Sequence, residues 1–316
     1  MRITDNMSVG MFLTNLESGK ERVSKYSNQV STNRKLQDIA DDPIGVMQSL
    51  AARSQLTLYQ RYEANAKIAR NWVDTSELNL EDMNATVQDI YELVNSGAND
   101  TKNASDKKTI ANQIRELARH IVDLANASVS DKFMYGGYNT YEDPFKLDLD
   151  SNPPTFKYNG IDLLSANESD PAIEKEAAQH IQIETSLEQM FDLNFNGIEL
   201  FGVGGECFMK DIIDTIDLLD SGASGDVISG QIDKIQEAED HILSLCTICG
   251  TKQNKIDTLL NRYSEDIINC EEIKSQVEDV SQGEAIMNLK IAEVVYQQAL
   301  AAGSRIIQPT LADFLK

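Results

Sequence analysis

Few residues in this chain have the type and spacing to do chemistry. Of four cysteines, Cys246 and Cys249 form a C-x-x-C. Such a pair is a redox couple after a strand, or half of a zinc site when a second pair is present. Here it falls inside a run of helical periodicity without either context, and reads as two small apolar side chains. The three histidines, His120, His180 and His241, lie in three different segments, and no nucleophile elbow or similar motif accompanies them. A carboxylate-bridged metal pair in a helical bundle needs Glu-x-x-His on one helix face. Glu116 to His120 and Glu237 to His241 are each one residue too long. Gly202-Val203-Gly204-Gly205 lacks the spacing and the following Lys-Ser of a phosphate loop. Asp41 and Asp42 precede Pro43, which is a helix start: Asp42 is placed to cap, Pro43 has the φ of a first helical residue, and both carboxylates face the positive end of the dipole. The residues therefore predict no catalytic, cofactor-binding or metal site, and no enzyme.

The elements that carry these residues are long helices. From about Gln231 to Arg305 a three-four repeat runs unbroken through Ile242, Leu245, Cys249, Ile256, Tyr263, Cys270, Val277, Val280, Met287, Ile291, Val294 and Ala301. A 3.5-residue period keeps one stripe toward a partner helix. As one helix the run would be about 110 Å long, so an elongated, mainly α rod is expected. Residues 1 to about 32 carry a thinner stripe, Val9, Leu13, Leu16, Val23, Ser27 and Val30. So narrow an apolar face does not fold alone. Its natural partner is the far C-terminal stripe, Leu289, Ala292, Tyr296, Ala299, Gly303 and Ile306, which would set the two chain ends side by side. A break at Pro309 is expected to end that helix.

A helix from Pro43 to about Val94 is followed by a polar loop and a third helix capped by Ser105 or Asp106; together they read as an antiparallel hairpin. Between Tyr138 and Gly205 the texture changes. Pro144, Pro153, Pro154 and Pro171 cluster here, and strand-like runs surround Asn159-Gly160 and Asn196-Gly197. A small β-rich insertion is expected. The resulting division is 1–42 with 281–316 as a terminal coiled coil, 43–137 with 206–280 as a helical rod, and 138–205 as the insertion.

Net charge is −23 and the sequence pI about 4.4, which argues against duplex nucleic acid or anionic lipid as partners. No run of 18 apolar residues is long enough to span a membrane, and the N-terminus lacks the pattern of a secretory signal. What remains is surface suited to other chains: thin terminal stripes need partners, and a head-to-tail contact between copies generates rings or tubes.

The stretches MRITDNM, STNRKLQDIADDPIGV, ARNWVDTSELNLEDMN, ELVNSGAND, DLANASVSDKFMYGGYNT and ALAAGSRIIQPTLADFLK resemble the flagellin superfamily, in the same order. Asp41-Asp42-Pro43 with Trp72-Val73-Asp74-Thr75 is more similar to its hook–filament junction branch than to filament flagellin. The resemblance implies an extracellular flagellar protein, exported through the type III apparatus without a cleaved signal peptide. It implies a ring of copies with paired termini innermost, lying between the first junction protein and flagellin, and an export chaperone as a further partner. The assembly residues would be those of the terminal seams: Val9, Leu13, Leu16, Val23 and Val30 against Leu289, Ala292, Val294, Tyr296, Ala299 and Ile306. A minor filament flagellin, or a cytoplasmic helical scaffold or enzyme, are the alternative readings.

Overall fold

A computed structural model describes residues 5–313 except 37, 41, 100, 101, 130 and 168; side chains at 5, 6, 8 and 305–313 lie outside the description. The helices are α1 (Asp5–Thr32), α2 (Pro43–Gly97), α3 (Ala104–Ala125), α4 (Pro171–Ala177), α5 (Gly197–Phe201), α6 (Phe208–Asp220), α7 (Gly225–Glu278) and α8 (Gln282–Asp313). The strands are β1 (Ser128–Val129), β2 (Lys132–Phe133), β3 (Phe145–Asp148), β4 (Thr155–Tyr158), β5 (Ile161–Asp162), β6 (Gln182–Ser186) and β7 (Gln189–Asp192). The fold is mainly α, as the periodicity predicts. The 55 residues of α2 extend about 80 Å. The chain divides into two compact units, residues 1–60 with 265–316, and residues 61–264.

In the larger unit, α2 and α7 run antiparallel in one register. Arg70 pairs with Asp257, Gln253 donates to Asp74 and Glu77, and Gln88 Nε2 donates to Glu239 at 2.8 Å. Between these polar edges the apolar stripes close. Ala66, Ala69, Val73, Leu80, Met83, Val87, Ile90 and Val94 of α2 share a buried core with Ile235, Ile242, Cys249 and Ile256 of α7 and with Ile114, Ala118 and Ile121 of α3. The cap of α3 differs from expectation. Asn103 accepts from the N–H groups of Ser105 and Asp106, and Asp106 Oδ2 accepts from the Asn103 N–H in return. The reciprocal box satisfies N–H groups at both ends of the turn, which neither Ser105 nor Asp106 could do alone.

Among the described residues there are three small antiparallel sheets: β1–β2 just ahead of the 138–205 stretch, and β3–β4–β5 and β6–β7 within it. Asn159 (φ 48°) and Gly160 (φ 88°) make the tight turn that returns β4 to β5. The second Asn-Gly does something else. Asn196 caps α5, its side chain accepting from Ile198 and Glu199, while Glu199 Oε2 accepts from the Asn196 N–H. Gly197 is required there by closeness, since a Cβ would stand 2.5 Å from the Tyr158 ring and 2.7 Å from that of Phe145. Those rings belong to an aromatic cluster in which Phe201 meets Phe145, Phe156 and Phe208 edge-on or stacked at 4.8–4.9 Å.

The expected single C-terminal helix is two helices. It ends at Glu278 and restarts at Gln282, because residues 278–280 pair with the segment leaving α1. Lys35 N–H donates to Glu278 O, Val280 N–H donates to Asn33 O, and Arg34 and Asp279 form an isolated antiparallel bridge. Ser281 with Glu284 three residues on gives the new helix a local start, and the backbone hydrogen bonds that end the old one come from elsewhere in the chain. The expected end at Pro309 is also corrected, for α8 continues to Asp313. A proline there removes only one intrahelical bond near the end of the element.

Candidate assembly surface

The smaller unit is built on α1 and α8, which pack together along their lengths. Three pairs set the register. Phe12 meets Gly303, Gly19 meets Tyr296, and Gln282 Nε2 donates to Asn33 Oδ1 at 3.0 Å. From pair to pair the α1 number rises as the α8 number falls by the same amount, so the helices are antiparallel with a seven-residue step between their glycines. At Gly303 the Phe12 ring fills the space that a Cβ would need, while at Gly19 the Tyr296 ring lies in ordinary contact, 3.4 Å from where a Cβ would stand. The same register sets Val9 opposite position 306, Leu16 opposite Ala299, Val23 opposite Ala292 and Val30 opposite Ala285. Ala285 and Ala292 are buried; Val9, Leu16, Val23, Val30, Leu289, Tyr296 and Ala299 are half-buried. The side chain of Ile306 lies outside the described residues.

Leu13 and Val294 do not share this seam: both are exposed, Val294 by half. Val294 belongs to a second apolar stripe on α8 with Met287 and Ile291, both more than half exposed. That stripe continues, past the break, the long repeat of α7. Thus α8 has two apolar faces, one covered by α1 and the other open. Phe12 and Gly19 are the participants that apolar counting misses, whereas Gly303 stands in the C-terminal stripe at its seam spacing.

At the start of α8 the chain is held by a buried carboxylate. Glu278, 3% exposed, accepts from Arg53 through both oxygens at 2.6 and 2.7 Å and from the Ser49 hydroxyl, with Arg34 at 4.0 Å. The Arg53 hydrogen bonds hold its pKa down at about 2, against the opposing effect of burial. Gln29 Nε2 donates to Lys35 O at 3.0 Å, adding a tie from α1 to the same crossing. At the start of α2, Asp42 Oδ1 accepts from the Gly45 N–H at 3.0 Å, and Pro43 is the first helical residue. Asp41 lies outside the described residues.

The residues with possible chemistry are placed as structural groups. Cys249 is buried and its thiol pushed up to about 12 by desolvation; Cys246 is raised by burial and by Glu81 and Glu77. Both are free thiols, and a thiol held protonated is a poor nucleophile or ligand. His180 and His241, distant in sequence, meet at Glu199: His241 Nε2 is 2.9 Å from the Glu199 carbonyl, and His180 Nε2 is 3.9 Å from its carboxylate. Among the described residues no group of three or more His, Cys, Asp or Glu is arranged to hold a metal, and no helix is long and apolar enough to cross a membrane.

Comparison with known proteins agrees with this architecture. The model of the bacterial flagellin N-terminal helical region matches residues 3–140. Flagellar hook-associated protein 3 of Escherichia coli is 21% identical over 96% of this chain and 95% of its own length. Flagellin of Bacillus subtilis is 22% identical over 95% of this chain and 94% of its own. FlgL of Bacillus cereus shares the fold, with a TM-score of 0.56 and 16% identity over 71% of this chain and 99% of that one. The chain is similar to these flagellar proteins and shares the helical fold of the solved one.

Proposed function

We propose that this protein is a non-enzymatic adaptor at the junction between hook and filament of the bacterial flagellum, where copies form a ring between the first junction protein and flagellin. The observation that carries this reading is the second apolar face of α8. Met287, Ile291 and Val294 are left open on a helix whose other face is already occupied. Separate stretches of apolar surface of this kind mark contacts with other chains. A contact between unlike faces of identical copies is heterologous and closes into a ring when the rotation permits. Full-length similarity to hook-associated protein 3 supports the junction as its place.

On this reading the chain leaves the cell through the flagellar export apparatus, escorted by a chaperone and without a cleaved signal peptide, and is located in the extracellular flagellum. Residues 1–42 and 281–316 form the inner coiled coil, 43–137 and 206–280 the rod, and 138–205 the outer β-rich part. The terminal seam residues Val9, Leu16, Val23, Val30, Leu289, Ala292, Tyr296, Ala299 and Ile306 act by closing the coil, and Val294 belongs to the open stripe that the coil presents.

A deletion strain tests the reading. Loss of a junction protein leaves hooks without filaments and spills flagellin into the medium, and restoring the gene restores filaments. Near-normal filaments in the deletion strain overturn it. Similarity to flagellin over nearly the whole chain favours one other reading, a minor filament subunit. That reading predicts label along the filament, where the junction reading predicts a single band at its base.

A further inference from the structure

We infer that the strand segment Glu184–Thr185 is a strap across α2 and α7, and that the β-rich insertion serves as a brace for this helix pair where the helical bundle thins. The strap does not depend on where in a flagellum the chain sits. Within the larger unit the bundle is uneven along its length. Gly97, at the end of α2, faces Ile110 of α3, and the 22 residues of α3 reach back along α2 about as far as Ser76. The shorter α6 has 13 residues, and Lys234 of α7 donates to its Asp211 at 3.0 Å, close to where α6 begins. Residues 61–75 of α2 and 246–263 of α7 therefore lie beyond the reach of both α3 and α6. A lone pair of helices buries one stripe on each and leaves the flanks wet. Yet Tyr62, Trp72 and Tyr263 are all buried there, and Trp72 shares its core with Phe191 and Phe195 of the insertion.

Two consecutive residues of β6 take ties from both helices. Arg61 Nη2 and the Tyr62 hydroxyl donate to the Glu184 carboxylate at 3.2 and 3.3 Å, and Asn65 Nδ2 donates to the Glu184 carbonyl at 2.7 Å. From α7, the Tyr263 hydroxyl donates to the Thr185 carbonyl. The Tyr62 and Tyr263 rings stand 5.9 Å apart, so the two helices also meet each other at the strap. A bulge makes the arrangement possible. The ladder pairs Glu184 with Met190 and Ser186 with Gln189, which leaves Thr185 outside it and turns its backbone to another use. Farther along α7 the insertion is held again. Lys255 Nζ lies 5.5 Å from the centre of the Phe191 ring and Lys252 Nζ 4.3 Å from that of Phe195, both within the range of cation–π attraction. His241 Nε2 lies 2.9 Å from the Glu199 carbonyl. From His241 to Tyr263 is about 33 Å of helix. An outer lobe free to swing needs one attachment, whereas this one is fastened lengthwise, and at the strap the ties come from both helices at once.

Hydrogen exchange of the purified full chain tests the strap. Asn65→Ala with Tyr263→Phe removes both bonds to the strand's carbonyls and keeps the Tyr263 ring. Losing the two bonds should raise exchange about tenfold in residues 61–75 and 246–263, while α3 and residues 83–97 of α2 keep their wild-type rates. Wild-type rates in the first two segments overturn the inference. A rise of equal size in α3 overturns it as well, because the bonds would then support the whole unit rather than the end that α3 and α6 leave uncovered. If the double variant does not fold, Tyr263→Phe alone decides: about a threefold rise confined to the same two segments is expected, and no rise overturns the strap. These rates leave the adaptor reading untouched, since that reading is decided by filament assembly in the deletion strain.

Discussion

The Phe12 ring occupies the space that a side chain at Gly303 would need: a Cβ there would stand 2.1 Å from Phe12 Cζ. One glycine thus sets how closely the first and last helices approach. Gly303→Leu must push them apart or expel the ring. It should lower the stability of the terminal unit by about 1–3 kcal/mol, and hydrogen exchange should rise in α1 while α3 amides stay protected.

Glu278 makes the terminal unit acid-sensitive. Its pKa lies near 2 when folded against 4.5 for the free side chain, so it stabilises the fold above about pH 4.5. That contribution is lost as pH falls toward 2. The shift corresponds to roughly 3 kcal/mol. Urea midpoints of wild type and Glu278→Gln should differ at pH 7 and converge near pH 2.5; a gap independent of pH would assign the effect to something other than this carboxylate.

Val294 and Tyr296 are two residues apart and should respond differently to aspartate. Val294→Asp lies on the open face and should leave stability within about 0.5 kcal/mol of wild type while abolishing incorporation into flagella. Tyr296→Asp removes the half-buried ring that packs against Gly19 and should destabilise the coil itself. Thermal unfolding combined with incorporation assays separates the two.

Gly197→Ala should be costly despite adding one methyl. Its Cβ would enter the space of the Tyr158 and Phe145 rings at 2.5 and 2.7 Å, with no room in a cluster already closed by Phe201. A fall in Tm of about 5 °C is expected, read by near-ultraviolet circular dichroism of the packed aromatics.

Heptad spacing was enough to pair α1 with α8 and to place the helical hairpin, because burial of one stripe per helix dominates both. It could not reveal the break after Glu278. Val280 keeps the apolar repeat, and the local marks, Gly283 and the Ser281-x-x-Glu284 start spacing, are joined by hydrogen bonds that Asn33 and Lys35 supply from 245 residues or so away in the chain. The consequence is legible afterwards: the run Met287, Ile291, Val294 was expected to continue one seam, yet it faces outward. Asn196-Gly197 is a turn signal in isolation, but Glu199 three residues beyond the asparagine completes a capping box, and the aromatic cluster needs the missing Cβ. Of the candidate seam residues, Leu13 and Val294 sit at heptad spacing yet turn away from the partner helix. Period alone does not say which of two overlapping stripes is covered.

Because α1 finds its partner in α8 and the Asn33–Lys35 segment finds its partner at Glu278–Val280, residues 5–35 have to wait for residues 278–313. Contacts of such long sequence separation carry the largest loop-closure cost and form last. Until residue 303 arrives, Phe12 has no hole to fill and the amino-terminal stripe no cover. Wiring of this kind leaves the stripe of α1 uncovered until α8 has been made.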